Sequence, residues 1–325
     1  MDEDNHRIKF SVFLLNSQRL DRYLGDVFSM SRVTAKAWIR SGRIQRNNKT
    51  LKPADIVTQK DELMVALPKK CVGPIVPHAT HDGTVIYADE WVIPILYSDD
   101  HLMVINKPVG LIVHGGPGIQ SETLVDILMS AGVALADVGH DRFGIVHRLD
   151  QFTEGLMVIA KSKLAYDGLQ TQFKERRVQK HYYAVLKGVL RATEGVIDYP
   201  IGRDVSVRAR QSCRHFILGT EKDALTEYKV VRQWSNVSFV DVRLITGRTH
   251  QIRVHFSALN CPVLGDALYS RQTKKGEGYY LQSYRLTFDH PVLGKFLEFQ
   301  LPVSSRLKKY AGNDADDECK SNKYR

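Results

Sequence analysis

Two short stretches concentrate the side chains that can do chemistry. The first runs Gly144-Ile145-Val146-His147-Arg148-Leu149-Asp150-Gln151-Phe152-Thr153-Glu154-Gly155, with His147, Arg148 and Asp150 set between two apolar runs. Polar residues that join packed elements form a loop able to hold a carboxylate rigidly. Taken alone the loop reads two ways: Arg148 and Asp150 as a surface ion pair, or Asp150 as a reactive carboxylate. Glu154 supplies a second carboxylate, a pairing that glycosidases use, but loop spacing fixes no distance between the two. The second stretch is Thr246-Gly247-Arg248-Thr249-His250-Gln251-Ile252-Arg253-Val254-His255-Phe256, where four of eleven positions are Arg or His. If Thr249 opens a helix, Gln251 and His255 share one face and Arg248 stands at the entrance. His250 and His255 lie five apart, missing the four-residue spacing of helical His ligands, and no carboxylate joins them, so no metal site is expected.

Strand-like runs must frame these loops. Leu102-Met103-Val104-Ile105, Leu156-Met157-Val158-Ile159-Ala160, Tyr182-Tyr183-Ala184-Val185-Leu186, Phe239-Val240-Asp241-Val242-Arg243-Leu244 and Phe296-Leu297-Glu298-Phe299 are apolar and β-rich. Helices are expected at 121–131, 162–175 and 249–259. Strands that mostly follow one another directly, with few helices between, argue for an α+β domain with a largely antiparallel, mixed sheet over 93–308. Residues 71–92, rich in Pro and Gly, read as a linker, and 309–325 as a polar, disordered tail.

Upstream, 15–70 reads as a separate small module. Leu20, Tyr23, Leu24, Val27 and Phe28 form one apolar helical stripe. Ser31 caps a second helix that Gly42 ends, and on it Arg32, Lys36 and Arg40 recur every four residues, a stripe suited to a phosphate backbone or simply a solvated face. Short strands follow, at Ile44-Gln45-Arg46 and Glu62-Leu63-Met64-Val65-Ala66-Leu67.

The whole chain has 325 residues, with 46 Lys and Arg against 36 Asp and Glu, giving a formal charge of +10 that favours a polyanionic partner. Its four cysteines stand at least 48 residues apart, so neither a Cys-x-x-Cys metal pair nor a dense disulfide framework is expected. No apolar run approaches the length of a membrane helix, and the start is acidic, so a cytoplasmic protein without membrane partners is expected, and a monomer.

Residues 19–67 resemble the αL RNA-binding domain first named from a ribosomal small-subunit protein. Arg19-Leu20-Asp21, Ser31-Arg32, Ser41-Gly42-Arg43-Ile44, Leu51-Lys52-Pro53 and Asp61-Glu62-Leu63 carry that likeness. About 93–303 resembles the RluA/RluD-type RNA pseudouridine synthases. Six motifs carry it in order: Asn106-Lys107-Pro108-Val109-Gly110-Leu111 with Val113-His114; His147-Arg148-Leu149-Asp150 with Thr153 and Gly155; Lys180-His181-Tyr182-Tyr183-Ala184; Pro200-Ile201-Gly202-Arg203; Thr246 to Arg253; and Pro262-Val263-Leu264-Gly265-Asp266.

The resemblance implies an isomerase that detaches a uracil from its sugar, turns it and rejoins it through carbon. No redox change or energy input is involved, so neither cofactor nor metal is implied. It assigns Asp150 as the essential carboxylate, Arg248 as the cation that keeps it ionised, and Tyr182, rather than Tyr183, as the ring stacked on the flipped base. Arg148 would fill the gap that base leaves. Arg148, His147, Arg32, Lys36, Arg40, Arg43 and Arg253 are the expected RNA contacts. Glu154 stands where Ser is usual and is expected to point away, because a second anion would raise the pKa of Asp150. The substrate implied is RNA, foremost large-subunit ribosomal RNA, with transfer RNA second; an inactive RNA-binding assembly factor is the competing class.

The positive charge is unevenly placed, which fits RNA lying across both modules. Residues 1–70 hold 14 Lys and Arg against 8 Asp and Glu, 161–191 hold 8 against 2, and 203–253 hold 10 against 5.

Overall fold

The computed structural model describes residues 7–11, 17–27, 36, 38–47, 49–58, 61–66, 85–88, 91–115, 121–139, 143–270 and 278–312. Its dominant element is a 10-stranded sheet, α+β as expected. Across the sheet lie Glu194–Asp198, Leu225–Gln233, Val237–Leu244, Gln179–Lys187, Leu281–Asp289, Glu154–Ala160, Leu102–Lys107, Trp91–Ser98 and Val85–Ala88, while Phe296–Gln300 pairs with Leu281–Asp289.

Every strand pair in this sheet is antiparallel except one. Glu154–Ala160 runs parallel to Leu281–Asp289 through Glu154↔Gln282 and Gly155↔Ser283. At this junction the backbones come so close that a Cβ on Gly155 would lie 2.1 Å from the Ser283 carbonyl oxygen, and Gly155 has φ +112, so only glycine fits. The Asp150 loop therefore enters the sheet at its centre.

Alternation along the strands builds two cores. Met103, Ile105, Met157 and Ile159 face one side, packed with Leu124–Ser130 and with Ile252 and Phe256 of Gln251–Ala258. Leu102, Val104, Leu156, Val158 and Ala160 face the other, covered by Ala165, Tyr166 and Leu169 of Lys163–Lys174. Two helices start where side chains cap them: Thr123 and Asp126 form a capping box, and the Ser162 hydroxyl accepts from the Ala165 N–H.

The small N-terminal module packs Leu20, Tyr23 and Leu24 of Leu20–Val27 against Trp38, Ile39, Ile44, Leu51, Val57 and Leu63. Val92 of the large sheet joins that core. Gly42, at φ +75, turns the chain from the Trp38–Arg40 helical turn into Ile44–Arg46. The expected Ser31 cap and Arg32 lie outside the described residues.

Two expected boundaries move. Val85–Ala88 and Trp91–Ser98 form a hairpin inside the stretch read as linker, because their β-branched and aromatic residues outweigh Pro94, which sits opposite an edge strand that tolerates a missing donor. The tail begins later than 309: helix Ser305–Ala311 buries Leu307 and Ala311, four residues apart on one face. No helix among the described residues is long and apolar enough to cross a membrane.

Candidate active site

Asp150 sits at the end of its loop with its side chain 19% exposed. Three groups converge on the same oxygen. Arg253 Nη1 lies 3.1 Å from Oδ2, the Tyr279 hydroxyl donates to it at 3.3 Å, and His250 Nε2 stands 3.9 Å away. Oδ1 makes no hydrogen bond among the described residues, which leaves one oxygen of a charge-paired carboxylate available to a substrate.

Arg253 is held from all sides. Asp266 grips it bidentately, Nε to Oδ2 at 2.6 Å and Nη2 to Oδ1 at 3.1 Å, and the guanidinium lies over the rings of Tyr279 and Tyr269 at 4.3 and 5.0 Å. Burial would depress it, but its bond to Asp266 and the charges around it carry it above its ordinary value. A planar fork shared between two carboxylates is a geometry lysine lacks. Asp266 is itself anchored by the N–H groups of Leu268 and Tyr269 at 3.0 and 3.3 Å.

The loop before helix Gln251–Ala258 is knitted by Gln251. Its Oε1 accepts from the Thr246 hydroxyl and the Arg248 N–H, and its Nε2 donates to the Leu225 carbonyl and the Thr226 hydroxyl. His250 takes a left-handed backbone at φ 58, strain that aims its ring at the site. The Tyr269 hydroxyl accepts from the Gln211 N–H and lies 2.9 Å from His250 Nδ1, which leaves Nε2 as the ring nitrogen nearer Asp150. Burial lowers the His250 pKa, with the Asp150 charge opposing.

Beneath the Asp150 loop, Lys107 is fully buried and donates to the carbonyls of Pro108, Leu111 and Gln151 at 2.8, 2.8 and 3.1 Å. Burial pushes it down to about 7 against the pull of Asp150 and Glu154. Three acceptors match the three protons of an ammonium, so Lys107 ties two loops together as a cation.

A small cavity of about 60 Å³ is walled by Asp150, Tyr182, His250 and Arg253. A larger one, about 610 Å³, shares Asp150, Arg148, Tyr182 and Arg248 with it and extends along Phe173, Lys174, Arg176 and Lys180. Burial, with the Asp150 charge, pushes the Tyr182 phenol above its ordinary value, so it presents a neutral ring and hydroxyl. Among the described residues no group of three His, Cys, Asp or Glu side chains could hold a metal ion.

A carboxylate, a buried arginine and a neutral tyrosine around a pocket beside a basic cleft suit a reaction on a nucleotide base. Comparison with known proteins identifies which. Residues 101–258 match the family described as RNA pseudouridylate synthase, and 18–63 match the S4 domain. An uncharacterized RNA pseudouridine synthase of Bacillus subtilis is 33% identical over 300 residues, covering 91% of this chain and 94% of its own. The chain belongs to the RNA pseudouridine synthases. Ribosomal large subunit pseudouridine synthase D of Pseudomonas aeruginosa is 33% identical over 306 residues, covering 90% of each chain. The structure of Human RNA Pseudouridylate Synthase Domain Containing 1 superposes with a TM-score of 0.53 at 27% identity, covering 67% of this chain and 85% of that one.

Within this pseudouridine synthase the tertiary structure reassigns three expected residues. Arg248 is not the cation on Asp150: its Nε donates to the Asp223 carbonyl at 2.8 Å and it lies at the larger cavity's wall. Arg253, expected on RNA, is buried and takes that place, because the helix that begins at Gln251 turns it inward. His147 is no cationic RNA contact: Nε2 accepts the Val158 N–H at 3.0 Å, the ring stacks on Phe173, and burial drives its pKa down to about 3.

Tyr182 lines both cavities, whereas Tyr183 stacks on Phe239 and Tyr284 away from them. A bulge between His181 and Tyr182 in the pairing with Leu281–Asp289 falls at this point. Arg148 is exposed, 3.1 Å from His114 Nε2 at the mouth. Glu154 turns away to the Ser304 hydroxyl and Arg306. On the N-terminal module, Lys36 lies 4.0 Å from buried Asp21, Arg40 is exposed, and Arg43 lies over the Trp38 ring at 5.8 Å. Sequence reasoning gave no role to Tyr279, His250 or Asp266. The last two stood inside quoted motifs; Tyr279 carried no signal beyond a glycine before it.

Proposed function

We propose that this enzyme isomerises uridine in large-subunit ribosomal RNA, with Asp150 as the catalytic carboxylate. The observation that supports it is the asymmetry of Asp150: one oxygen is held by Arg253 and Tyr279, the other carries no hydrogen bond among the described residues, and the residue borders the pocket walled by Tyr182. The large-subunit assignment rests on relatives that bear that name, such as the Pseudomonas aeruginosa protein.

The reaction breaks the bond from C1′ of the sugar to N1 of the base, turns the uracil and joins C1′ to C5. The C5 proton is lost and N1 ends protonated, so no net electron or proton is exchanged. Arg253, paired with Asp150 at 3.1 Å, offsets the solvation it loses once RNA excludes water, and the carboxylate then attacks covalently or removes a sugar proton. Tyr182, held as a neutral phenol, stacks on the extruded base. Arg148 occupies the gap left in the RNA.

The test is to incubate the protein with unmodified transcripts of large-subunit ribosomal RNA and of transfer RNA and to map pseudouridine. Product is expected in the ribosomal transcript, and Asp150→Asn is expected to slow it by about a thousandfold or more. Product in transfer RNA alone overturns the substrate assignment, and full product with Asp150→Asn overturns the role of Asp150.

A further inference from the structure

The larger cavity holds a cation that the isomerisation does not use. Lys180 is 8% exposed, opens onto that cavity, and makes no hydrogen bond or ion pair among the described residues. Its ammonium lies over the Phe173 ring at 5.7 Å, and Arg248 is close enough to act with burial in pushing it down to about 8. A buried cation beside a second, half-buried one, with no carboxylate bonded to it, forgoes solvation and is repelled, an arrangement that becomes favourable once a ligand brings negative charge. Lys174, Arg176 and Arg148 line the same cavity, where Asp150 is the one carboxylate.

We propose that Lys180 and Arg248 together bind one phosphodiester of the RNA segment that carries the flipped uridine. This rests on the reading above that RNA is the substrate and names the contact that seats its backbone. A nucleotide swung out about its backbone brings a flanking phosphate to the rim of the pocket that receives its base. Lys180 and Tyr182 are two residues apart on strand Gln179–Lys187, so one strand positions both backbone and base. The site also gives Arg248 a ligand in place of the carboxylate it does not reach.

The test measures the dissociation constant of full-length protein for a transcript of large-subunit ribosomal RNA across a series of KCl concentrations. Lys180→Met is expected to weaken binding about tenfold at low salt and to make the plot of log K against log salt shallower by about 0.7 to 0.9, the share of one phosphate. Lys180→Arg is expected to restore both. Lys163→Met, on an exposed helical face, serves as the control. A pH series gives a second reading that needs no apolar variant. Arg248, Arg148, Lys174, Arg176, Asp150, His114 and the buried, neutral His147 share the cavity with Lys180, which burial and Arg248 bring down to about 8, so wild-type affinity falls above about pH 8 while that of Lys180→Arg does not. Unchanged affinity and slope in a folded Lys180→Met, or the same pH response in wild type and Lys180→Arg, overturns the phosphate site. Failure of the wild type to modify any RNA would instead overturn the function on which it rests.

Discussion

At the residue scale the site separates groups that react from groups that hold. Asp150 and Asp266 both bind Arg253, yet Asp266 is fully buried and Asp150 borders the cavity. Removing one partner of a buried pair costs about 3 to 5 kcal/mol. Asp266→Ala is therefore expected to lower the urea midpoint strongly, whereas Asp150→Asn leaves Arg253 still gripped by Asp266 and keeps the midpoint close to wild type while activity is lost. Equal stability losses would sink this division of labour. His147 predicts a pH dependence. Its pKa falls from an ordinary 6.5 to about 3 on folding, chiefly through burial. The unfolded chain thus binds a proton that the native one refuses. Its contribution is complete above pH 6.5 and is lost as pH drops toward 3, at no more than about 1.4 kcal/mol per pH unit. Melting temperatures of wild type and His147→Gln, whose Oε1 can replace Nε2 as acceptor for the Val158 N–H without titrating, should converge across that window.

At the element scale the short parallel junction is the support of the catalytic loop. Gly155 meets the Ser283 carbonyl and Ser283 donates its hydroxyl to the Leu156 carbonyl at 3.1 Å, locking the two central strands. Gly155→Ala brings both an unfavourable φ and a collision with backbone, so it is expected to cost more than about 3 kcal/mol, seen as an early denaturant midpoint. Gly132, also at positive φ but with nothing near its Cβ, should lose far less on the same change. Several central strands were readable as apolar β-rich runs, but this junction was not, because parallel pairing joins residues more than a hundred positions apart.

On the scale of the whole molecule, two units meet RNA differently. The S4 domain match covers 18–63, where exposed Arg40 and partly buried Lys36 lie on described residues. Replacing Lys36 and Arg40 together by Ala is expected to weaken RNA binding severalfold and to reduce its salt slope by between one and two phosphates' worth. The saturated rate should stay unchanged, because neither residue touches the pocket. A fall in that rate at unchanged affinity would show the module acting on chemistry rather than capture. Val92, which belongs to the large sheet but packs in the small core, joins the two units.

Much of this was legible in the amino-acid chain because it is local. Apolar β-rich runs placed five of the strands, helical periodicity placed Lys163–Lys174 and Gln251–Ala258, and the order of the motifs put Asp150 and Tyr182 forward together. The arginine that meets Asp150 was misassigned from the chain: the resemblance pointed to Arg248, and Arg253 stands there. Arg248 and Arg253 stand five residues apart in one motif, equally cationic. Only the fold decides between them, since the left-handed turn at His250 and the helix after it send Arg253 inward to two carboxylates and leave Arg248 on the wall. Ion pairing depends on side-chain direction over a few ångströms, and that direction is set by packing between segments 103 residues apart.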